Sequence, residues 1–587
     1  MEKPQIALLV SLNSKYEHEN PAVWYLKAAY EQRKTQESLL KIQWKIIVLS
    51  KTINDDPDHI FAEIIERQPD VVAFSCYIWN RDETLRIASD IRSALPASIL
   101  VAGGPEVSYG NGAEEYKNAG IDIILAGEGE EKFPDMLEAI ACRRDLTAEL
   151  LDNWGKVSPS LPAEKLVSPI CDEYLSNLKG RIAYIESSRG CPFSCSYCLS
   201  SACKTMTYIP LERVFYELEQ LVLSGAKVIK FVDRTFNLTD QRTLAIWEHL
   251  LKYADTPVVF HFEVAPDLLT GKQLELLSLM PLGLIQIEAG LQSVHTSTLH
   301  EIDRMMNVEQ AITNMQKVLL TGNVHLHADL IAGLPGEDLV RFTESVNVLS
   351  RVMPHHLQIG FLKLLRGTKM WQDAKKYNFI ERFYAPYEVI ASDALPVYEM
   401  LKIKDLEETV ERFYNSGRFL FVMQHLLKNT ESAFSLYAQL SQFQKEKKLF
   451  HRAVSSDVLF QCMASFINNE CSAKDREELM SLLRLDWVTS HKNPFLPDYL
   501  RTKTETDTLL VKTNWLEIAY GNDITVQVGS KSVKNRFYVE KWCFPVIKFR
   551  GMKLVNQWEN HKSLYVIIDT RIIHRVLGRP EVILFYS

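Results

Sequence analysis

Three cysteines stand close together in this 587-residue chain, at Cys191, Cys195 and Cys198. Their CxxxCxxC spacing brings three thiols within eight residues, directly after a short apolar run. Thiolates bind iron–sulfur clusters, zinc and copper. Zinc sites usually pair two CxxC segments, and the sequence has no second one. Three cysteines suit a [4Fe–4S] cluster whose fourth iron stays open to a ligand, which favours a reactive cluster over a simple electron carrier.

Composition limits the class of protein. Ten cysteines are scattered along the chain without a disulfide framework, so we expect a reducing compartment and a cytoplasmic location. No apolar stretch is long enough for a membrane helix, and the first residues do not resemble a signal peptide. The net charge of −8 argues against nucleic-acid binding by the whole chain.

Two α/β regions would position these residues. In the first, residues 1–140, short apolar runs alternate with helical periods such as 57–67 and 82–94. This alternation predicts a Rossmann-like, doubly wound parallel sheet. The apolar runs are at 6–10, 44–49, 71–75, 98–104 and 121–127.

The runs end in residues suited to a ligand. Such sheets bind ligands at the carboxyl ends of their strands, and glycines there let backbone amides approach closely. The segments that follow the last three runs are Cys76–Asn80, Gly103–Glu106 and Gly127–Glu130.

Residues 141–180 lose this periodicity and are interpreted as a linker. Over 181–375, six strands each followed by a helix predict a (β/α)6 partial TIM barrel, with its chemistry on the loops after the strands. Residues 376–587 are helical at first and β-like towards the end, which predicts a C-terminal α+β domain. The six barrel strands are expected at 181–188, 226–233, 256–264, 282–290, 323–333 and 356–365.

CxxxCxxC after the first barrel strand is the hallmark of the radical S-adenosylmethionine (SAM) superfamily, and later segments are similar to its strand motifs. These segments are FVDRTFN (231–237), FEVAPD (262–267), IEAGLQS (287–293), DLIAGLPGE (329–337) and LKLLRGT (362–368). The resemblance implies that the three cysteines hold the cluster. It also implies SAM contacts from Tyr197, Asp233, Glu263, Glu288, Gln292 and Ser293, while Asp329 stands in a similar motif. The alternative for each later residue is a strand-end group that only caps a helix.

The N-terminal region resembles the cobalamin (B12)-binding domain of a radical SAM subgroup with a C-terminal domain of unknown function. The segments that carry this resemblance are LNSKYEHENPAVWYLKAAY (12–30), FSCYIWN, VAGGPE and LAGEGEEKF. The alternative is a doubly wound domain that binds a nucleotide or nothing, although no GxGxxG follows the first strand. The implied cobalamin-binding residues are Asn13, Ser75, Tyr77, Trp79, Gly103, Gly104, Pro105, Glu106, Gly127, Glu128 and Gly129.

The N-terminal region differs from many B12 proteins because it lacks their motif for a histidine ligand to cobalt. They carry an Asp-x-His-x-x-Gly loop whose histidine binds cobalt, and neither His18 nor His59 stands in such a motif. We therefore expect histidine-off cobalamin and assign no role to either histidine.

The resemblance implies a methyltransferase. A 5′-deoxyadenosyl radical would remove hydrogen from an unactivated carbon, and methylcobalamin would deliver a methyl group. The alternative keeps both cofactors but carries out an oxidation, reduction or rearrangement. A metal-dependent binding or sensor protein is a third class. The substrate stays open among a small molecule, a peptide and RNA, and the electron donor is expected to be a flavodoxin or ferredoxin.

Residues 531–587 contain 11 Lys or Arg and 4 Asp or Glu among several aromatic residues. Basic residues interleaved with aromatics are typical of an RNA-contacting face. A β-rich domain with an aromatic core and a solvated basic surface is the favoured alternative. The aromatic residues are Phe537, Tyr538, Trp542, Phe544 and Phe549.

Overall fold

The protein is described by a computed structural model over residues 5–36, 44–142, 146–202, 204–491, 496–501, 537–542, 552–554 and 564–586. Two parallel sheets with flanking helices are followed by a helical region and a small mixed sheet. None of the helices in these ranges combines the length and the apolar character that crossing a membrane requires.

The first sheet is parallel, in the order β2-β1-β3-β4-β5. Its strands are Gln5–Asn13 (β1), Trp44–Thr52 (β2), Val71–Ser75 (β3), Ile99–Gly103 (β4) and Ile123–Leu125 (β5). Its helices are Pro21–Gln36 (α1), Pro57–Arg67 (α2), Arg81–Ala94 (α3), Pro105–Ser108 (α4), Gly112–Asn118 (α5) and Lys132–Ala141 (α6).

Both faces of this sheet are buried, which explains its continuous apolar strands. Along β1, Ala7 and Leu9 face one core and Leu8 and Val10 face the other. The predicted doubly wound domain is confirmed.

The segment predicted as a linker is packed against the domains on either side. It contains the helices Ala148–Trp154 (α7) and Asp172–Ser176 (α8). Trp154 and Tyr174 are buried, and the Tyr174 ring lies 5.4 Å from that of Trp24 on α1. The large apolar side chains in 141–180 therefore form core contacts that its irregular periodicity did not indicate.

The second sheet confirms the partial barrel, with six parallel strands in the order β13-β12-β11-β10-β9-β6. Its region contains the strands Ile182–Ile185 (β6), Ser188–Arg189 (β7), Thr207–Tyr208 (β8), Val228–Phe231 (β9), Val259–Val264 (β10), Ile285–Gln292 (β11), His325–Ala332 (β12) and His356–Phe361 (β13), of which β7 and β8 pair with each other. The helices are Leu211–Leu223 (α9), Asp240–Leu250 (α10), Gly271–Ser278 (α11), Thr296–Glu301 (α12), Val308–Thr321 (α13) and Leu339–Val352 (α14).

The barrel strands alternate between two environments. On β11, Ile285, Ile287 and Ala289 are buried in the apolar core, whereas the residues between them are only partly buried. Side chains of successive strand residues point to opposite faces. Glu288 and Gln292 therefore project to the polar inner face of the barrel.

The remaining chain confirms the predicted α+β character. Its elements are Lys369–Gln372 (α15), Ile380–Glu381 (β14), Val389–Ala391 (β15), Val397–Val410 (α16), Leu420–Asn429 (α17), Ala433–Glu446 (α18), Ser456–Glu470 (α19), Ala473–Ser490 (α20), Phe537–Trp542 (β16), Met552–Leu554 (β17), Leu564–His574 (β18) and Arg579–Tyr586 (β19). A buried ion pair of 2.9 Å between Asp486 and Arg579 joins α20 to β19. The aromatic side chains singled out in 531–587 lie outside the part that the structure describes.

The first sheet and the barrel meet through the loop after β1. His18 bridges to Ile182 on the edge strand β6, whose amide donates to the Glu17 carbonyl at 2.7 Å. The buried Glu19 carboxylate accepts from Arg181 at 2.9 Å and from the Trp24 indole at 3.0 Å. The loop thus covers the β6 edge of the barrel sheet, which would otherwise be exposed, and holds the two domains next to each other.

Candidate functional site

Two adjoining cavities lie at the carboxyl ends of the two parallel sheets. The smaller, about 190 Å³, is lined by the three predicted metal-binding cysteines and is called the cysteine cleft. The larger, about 880 Å³, lies between the first sheet and the barrel and is called the interdomain cavity. Arg234 lines both, so the two spaces adjoin at this side chain.

The loop that carries the cysteines is anchored by Asp233. Its buried carboxylate accepts from the Ser187 amide at 2.8 Å, the Ser187 hydroxyl at 2.7 Å and the Ser188 hydroxyl at 2.6 Å. Asp233 does not line the cysteine cleft; in this structure its carboxylate positions the cysteine loop, and its contact with SAM stays a prediction. Ser187 and Ser188 thus occupy both oxygens of this carboxylate with hydrogen bonds.

Arg304 supplies positive charge beside the thiols. One of its guanidinium nitrogens lies 3.7 Å from Cys195 Sγ and 3.4 Å from the Tyr197 hydroxyl. The other donates to the Gly290 carbonyl at 2.6 Å. The fixed guanidinium would offset negative charge on these thiols once they bind a metal centre. Sequence reasoning missed this residue because it lies outside the strand motifs, in the segment after α12.

Carboxylates from three barrel strands face the cleft: Glu263, Glu288 and Asp329. Lys230 Nζ lies 3.5 Å from Glu263 and 3.3 Å from Glu288, which also contacts His261 at 3.0 Å. Burial opposes the charge on Glu288, but the contacts with His261 and Lys230 outweigh it and lower the pKa of Glu288 to about 2. For Glu263, burial prevails and raises its pKa.

Gln292 reaches the cleft through a local irregularity at the end of β11. The register shifts between Gly290 and Gln292, and Gln292 has a φ of +70°. A Cβ on Gly290 would lie 2.2 Å from Gln292 Nε2, so the glycine leaves room for this side chain. Ser293 is buried, does not line the cleft and donates to Glu337 at 2.6 Å, so its contact with SAM stays a prediction.

The interdomain cavity gathers the residues predicted at the ends of the first sheet. Tyr77 and Trp79 stack with their ring centres 4.3 Å apart and give one wall a flat aromatic surface. The predicted residues that line the cavity are Asn13, Ser75, Tyr77, Trp79, Gly103, Gly104, Pro105, Gly127, Glu128 and Gly129.

Glu106 is the exception among the predicted cobalamin residues, because it does not line the cavity. Its buried carboxylate accepts from the Tyr387 hydroxyl and lies 3.9 Å from Arg366. It therefore ties the first domain to the chain after β13. The sequence placed Glu106 at a strand end but did not indicate that α4 turns its side chain away from the cavity.

Arg189 joins the segment that leads to the cysteines to the loop after β5, on the wall of the interdomain cavity. Its guanidinium lies 2.6 Å from Glu130, 2.8 Å from Glu186 and 3.4 Å from Glu128. Glu128 and Glu130 follow β5, whereas Arg189 stands two residues before Cys191. Its position next to the cysteine motif was the only sequence signal for this contact.

His18 also lies on the wall of the interdomain cavity. Its Nδ1 hydrogen-bonds with the hydroxyl of Tyr184 on β6. Burial lowers the pKa of His18 and raises that of Tyr184 to about 12, so both groups are neutral near pH 7.

Family comparisons agree with this order of domains. Residues 7–137 match the B12 binding domain, residues 185–349 match the radical SAM superfamily, and residues 375–567 match a protein family of unknown function, DUF4080. The chain is a radical SAM protein with a B12-binding domain.

Several methyltransferases are similar to this radical SAM protein. The 2-(S-pantetheinyl)-carbapenam-3-carboxylate methyltransferase of Streptantibioticus cattleyicolor is 26% identical, over 49% of this chain and 46% of its own. The hopanoid C-3 methylase of Methylococcus capsulatus is 25% identical, over 57% of this chain and 66% of its own. The chain thus spans less than half the length of the first of these relatives.

Solved structures share the fold. The cobalamin-dependent SAM radical enzyme OxsB, solved with aqua-cobalamin and SAM, has a TM-score of 0.56 at 15% identity and covers 83% of this chain and 79% of its own. The radical SAM methyltransferase TsrM of Kitasatospora setae has a TM-score of 0.51 at 16% identity and covers 64% and 77%.

Gly104 of the B12-binding domain provides a test of the cavity wall. It has a φ of +108°, and a Cβ there would lie 2.6 Å from the Cys76 carbonyl oxygen. This backbone region suits glycine almost alone and costs other residues about 1–3 kcal/mol. We expect Gly104→Ala to lower the melting temperature of the cobalamin-free protein. We also expect the variant to bind less cobalamin than the wild type when cobalamin is supplied.

The matched control is Gly103→Ala. Gly103 lines the same cavity, and its Cβ would lie 3.3 Å from the Leu125 carbonyl, which a small shift accommodates. We expect a much smaller loss of stability for this variant. If Gly104→Ala lowers only the cobalamin occupancy, the glycine is required by the ligand and not by the loop.

Proposed function

We propose that this radical SAM protein is a cobalamin-dependent methyltransferase that acts on an unactivated carbon. The observation that carries the proposal is the junction of the cysteine cleft and the interdomain cavity at Arg234. Methyl transfer to a carbon radical requires both cofactors to reach one substrate atom, and adjoining cavities meet that requirement. The names of the relatives give further support.

The cysteine cleft fits a [4Fe–4S] cluster. Cys191, Cys195 and Cys198 line it together, and Arg304 compensates their negative charge. Within the described part of the chain, no three His, Cys, Asp or Glu side chains converge on a single metal ion. A cluster does not need such convergence, because each cysteine binds a different iron.

The polar residues that line the rest of the cleft have the chemistry to bind SAM at the open iron. SAM carries a carboxylate, an ammonium group and ribose hydroxyls. Arg304 would pair with the carboxylate, Glu263 with the ammonium group, and Gln292 and Asp329 with the ribose. Tyr197, held at its hydroxyl by Arg304, would pack near the adenine. Glu288 also lines the cleft, is held there by Lys230 and His261, and would contact SAM as well.

The interdomain cavity fits cobalamin. A planar corrin needs a broad seat of small or flat residues, which Ser75, Gly103, Gly104 and the stacked Tyr77–Trp79 pair provide. When bound, the three cofactors together supply reductive SAM cleavage, hydrogen abstraction and methyl transfer. The chain would position them, exclude water and admit electrons from a flavodoxin or ferredoxin. The substrate would be a small molecule, a peptide or RNA.

Cluster binding is tested first. We expect Cys191→Ala, Cys195→Ala and Cys198→Ala each to abolish the brown absorbance of anaerobically reconstituted protein, because each removes one cluster ligand. Cys171→Ala is the control, since Cys171 is exposed and outside the cleft. Iron and sulfide contents provide the measurement. A full cluster in the triple variant would refute the assignment.

Product analysis distinguishes methyl transfer from other radical outcomes. We expect the loaded, reduced enzyme to form S-adenosylhomocysteine and 5′-deoxyadenosine in equal amounts for each methylated product. The measurement is quantitative mass spectrometry with SAM labelled in its methyl group. If 5′-deoxyadenosine forms with a substrate but no label enters any product, the enzyme is an oxidase, reductase or isomerase.

We also propose that cobalamin is bound histidine-off, because the Asp-x-His-x-x-Gly motif is missing and Tyr184 engages His18 Nδ1. Electron paramagnetic resonance of the cob(II)alamin state should show no nitrogen superhyperfine splitting. Splitting that disappears in His18→Ala would identify His18 as the cobalt ligand and contradict the proposal.

A further inference from the structure

Arg234 stands at the junction of the two cavities. It follows β9 directly after Asp233, and it is the one described residue that lines both the cysteine cleft and the interdomain cavity. Under the function proposed above, the reacting substrate carbon must lie between SAM and cobalamin. The Arg234 guanidinium is therefore beside the substrate.

The surrounding carboxylates are engaged by other groups. Asp233 accepts three hydrogen bonds from Ser187 and Ser188. Glu263 lies 3.5 Å from Lys230 Nζ, its nearest cation, and the more distant charge of Arg234 also acts to lower its pKa. Within the described residues, no hydrogen bond or ion pair is formed by the Arg234 guanidinium, and its side chain is exposed to the cavities.

The second cation of the cleft has a different place. Arg304 is held against Cys195, Tyr197 and Gly290, where the carboxylate of SAM would bind. SAM has one carboxylate, so its charge is matched without Arg234. Arg234 influences Glu263 only at a distance, so its hydrogen-bond donors are left for a group that enters from the interdomain cavity.

We propose that Arg234 binds an oxyanion of the substrate, a carboxylate or a phosphate, next to the carbon that reacts. This inference rests on the proposed function and narrows its substrate class to anionic molecules. The planar guanidinium binds both oxyanions in a bidentate manner and would fix the substrate between SAM and cobalamin.

The test uses protein loaded with cluster and cobalamin, with the cluster oxidised and SAM at saturation, so that no turnover occurs. Malonate and pyrophosphate serve as probes in calorimetric titrations of the wild type and Arg234→Gln. We expect the wild type to bind at least one probe, and Arg234→Gln to bind it about tenfold more weakly, because a charged bidentate contact is lost. The preferred probe distinguishes a carboxylate from a phosphate.

Lys204→Gln is the matched control, since Lys204 lines the interdomain cavity but not the cysteine cleft. We expect it to change the probe affinity less than twofold. An equal loss in both variants would indicate a general electrostatic effect and overturn the proposal. Equal binding by the wild type and Arg234→Gln, or no binding of either probe, would also overturn it.

Affinity for SAM tests the competing assignment. We expect Arg234→Gln to bind SAM within twofold of the wild type and Arg304→Gln to bind it far more weakly. A large loss of SAM affinity in Arg234→Gln would assign Arg234 to the SAM carboxylate and overturn the proposal. The cluster and cobalamin contents are measured before the titrations. A wild-type protein that does not bind these cofactors would contradict the proposed function, whereas the titrations test the role of Arg234.

Discussion

The arrangement of this protein depends on the largely buried guanidinium of Arg189 and its three carboxylate partners. Glu128 and Glu130 belong to the loop after β5, whereas Glu186 and Arg189 belong to the segment that leads to the cysteines. Loss of Arg189 would leave these carboxylates without their cation, and an uncompensated buried charge costs about 3–5 kcal/mol. The ion cluster therefore favours one relative position of the two domains.

This position brings the ligand-binding edges of two ordinary α/β architectures next to each other. Each places ligands at the carboxyl ends of its strands, and here both sets of strand ends open onto adjoining cavities. Contacts away from the cavities reinforce the arrangement, through Glu19 with Arg181 and through Glu106 with Tyr387. Several residues next to the site thus contribute by positioning domains rather than by contact with a cofactor.

The sequence predicted the fold well because strand order and helix packing follow from repeated apolar periods. It also identified ten residues on the wall of the interdomain cavity, because strand ends are recognisable in sequence. It could not indicate which polar side chains at the strand ends point away from the cavities. Asp233, Ser293 and Glu106 each turn towards a neighbouring loop or domain, and that choice depends on contacts distant in sequence. Arg189 was missed for the same reason, whereas Arg304 lies outside the strand motifs. Arg234 stands inside the segment 231–237, but its sequence position does not show that it lines two cavities.

The central claim is that cobalamin and the cluster occupy adjoining cavities. Spin–spin interaction tests it most directly, in protein that holds cob(II)alamin and the one-electron-reduced cluster together. Pulsed electron paramagnetic resonance should show marked dipolar broadening and faster relaxation of the cobalt signal, relative to protein with an oxidised, diamagnetic cluster. A cobalt signal that does not respond to cluster reduction, at full occupancy of both centres, would contradict the shared site.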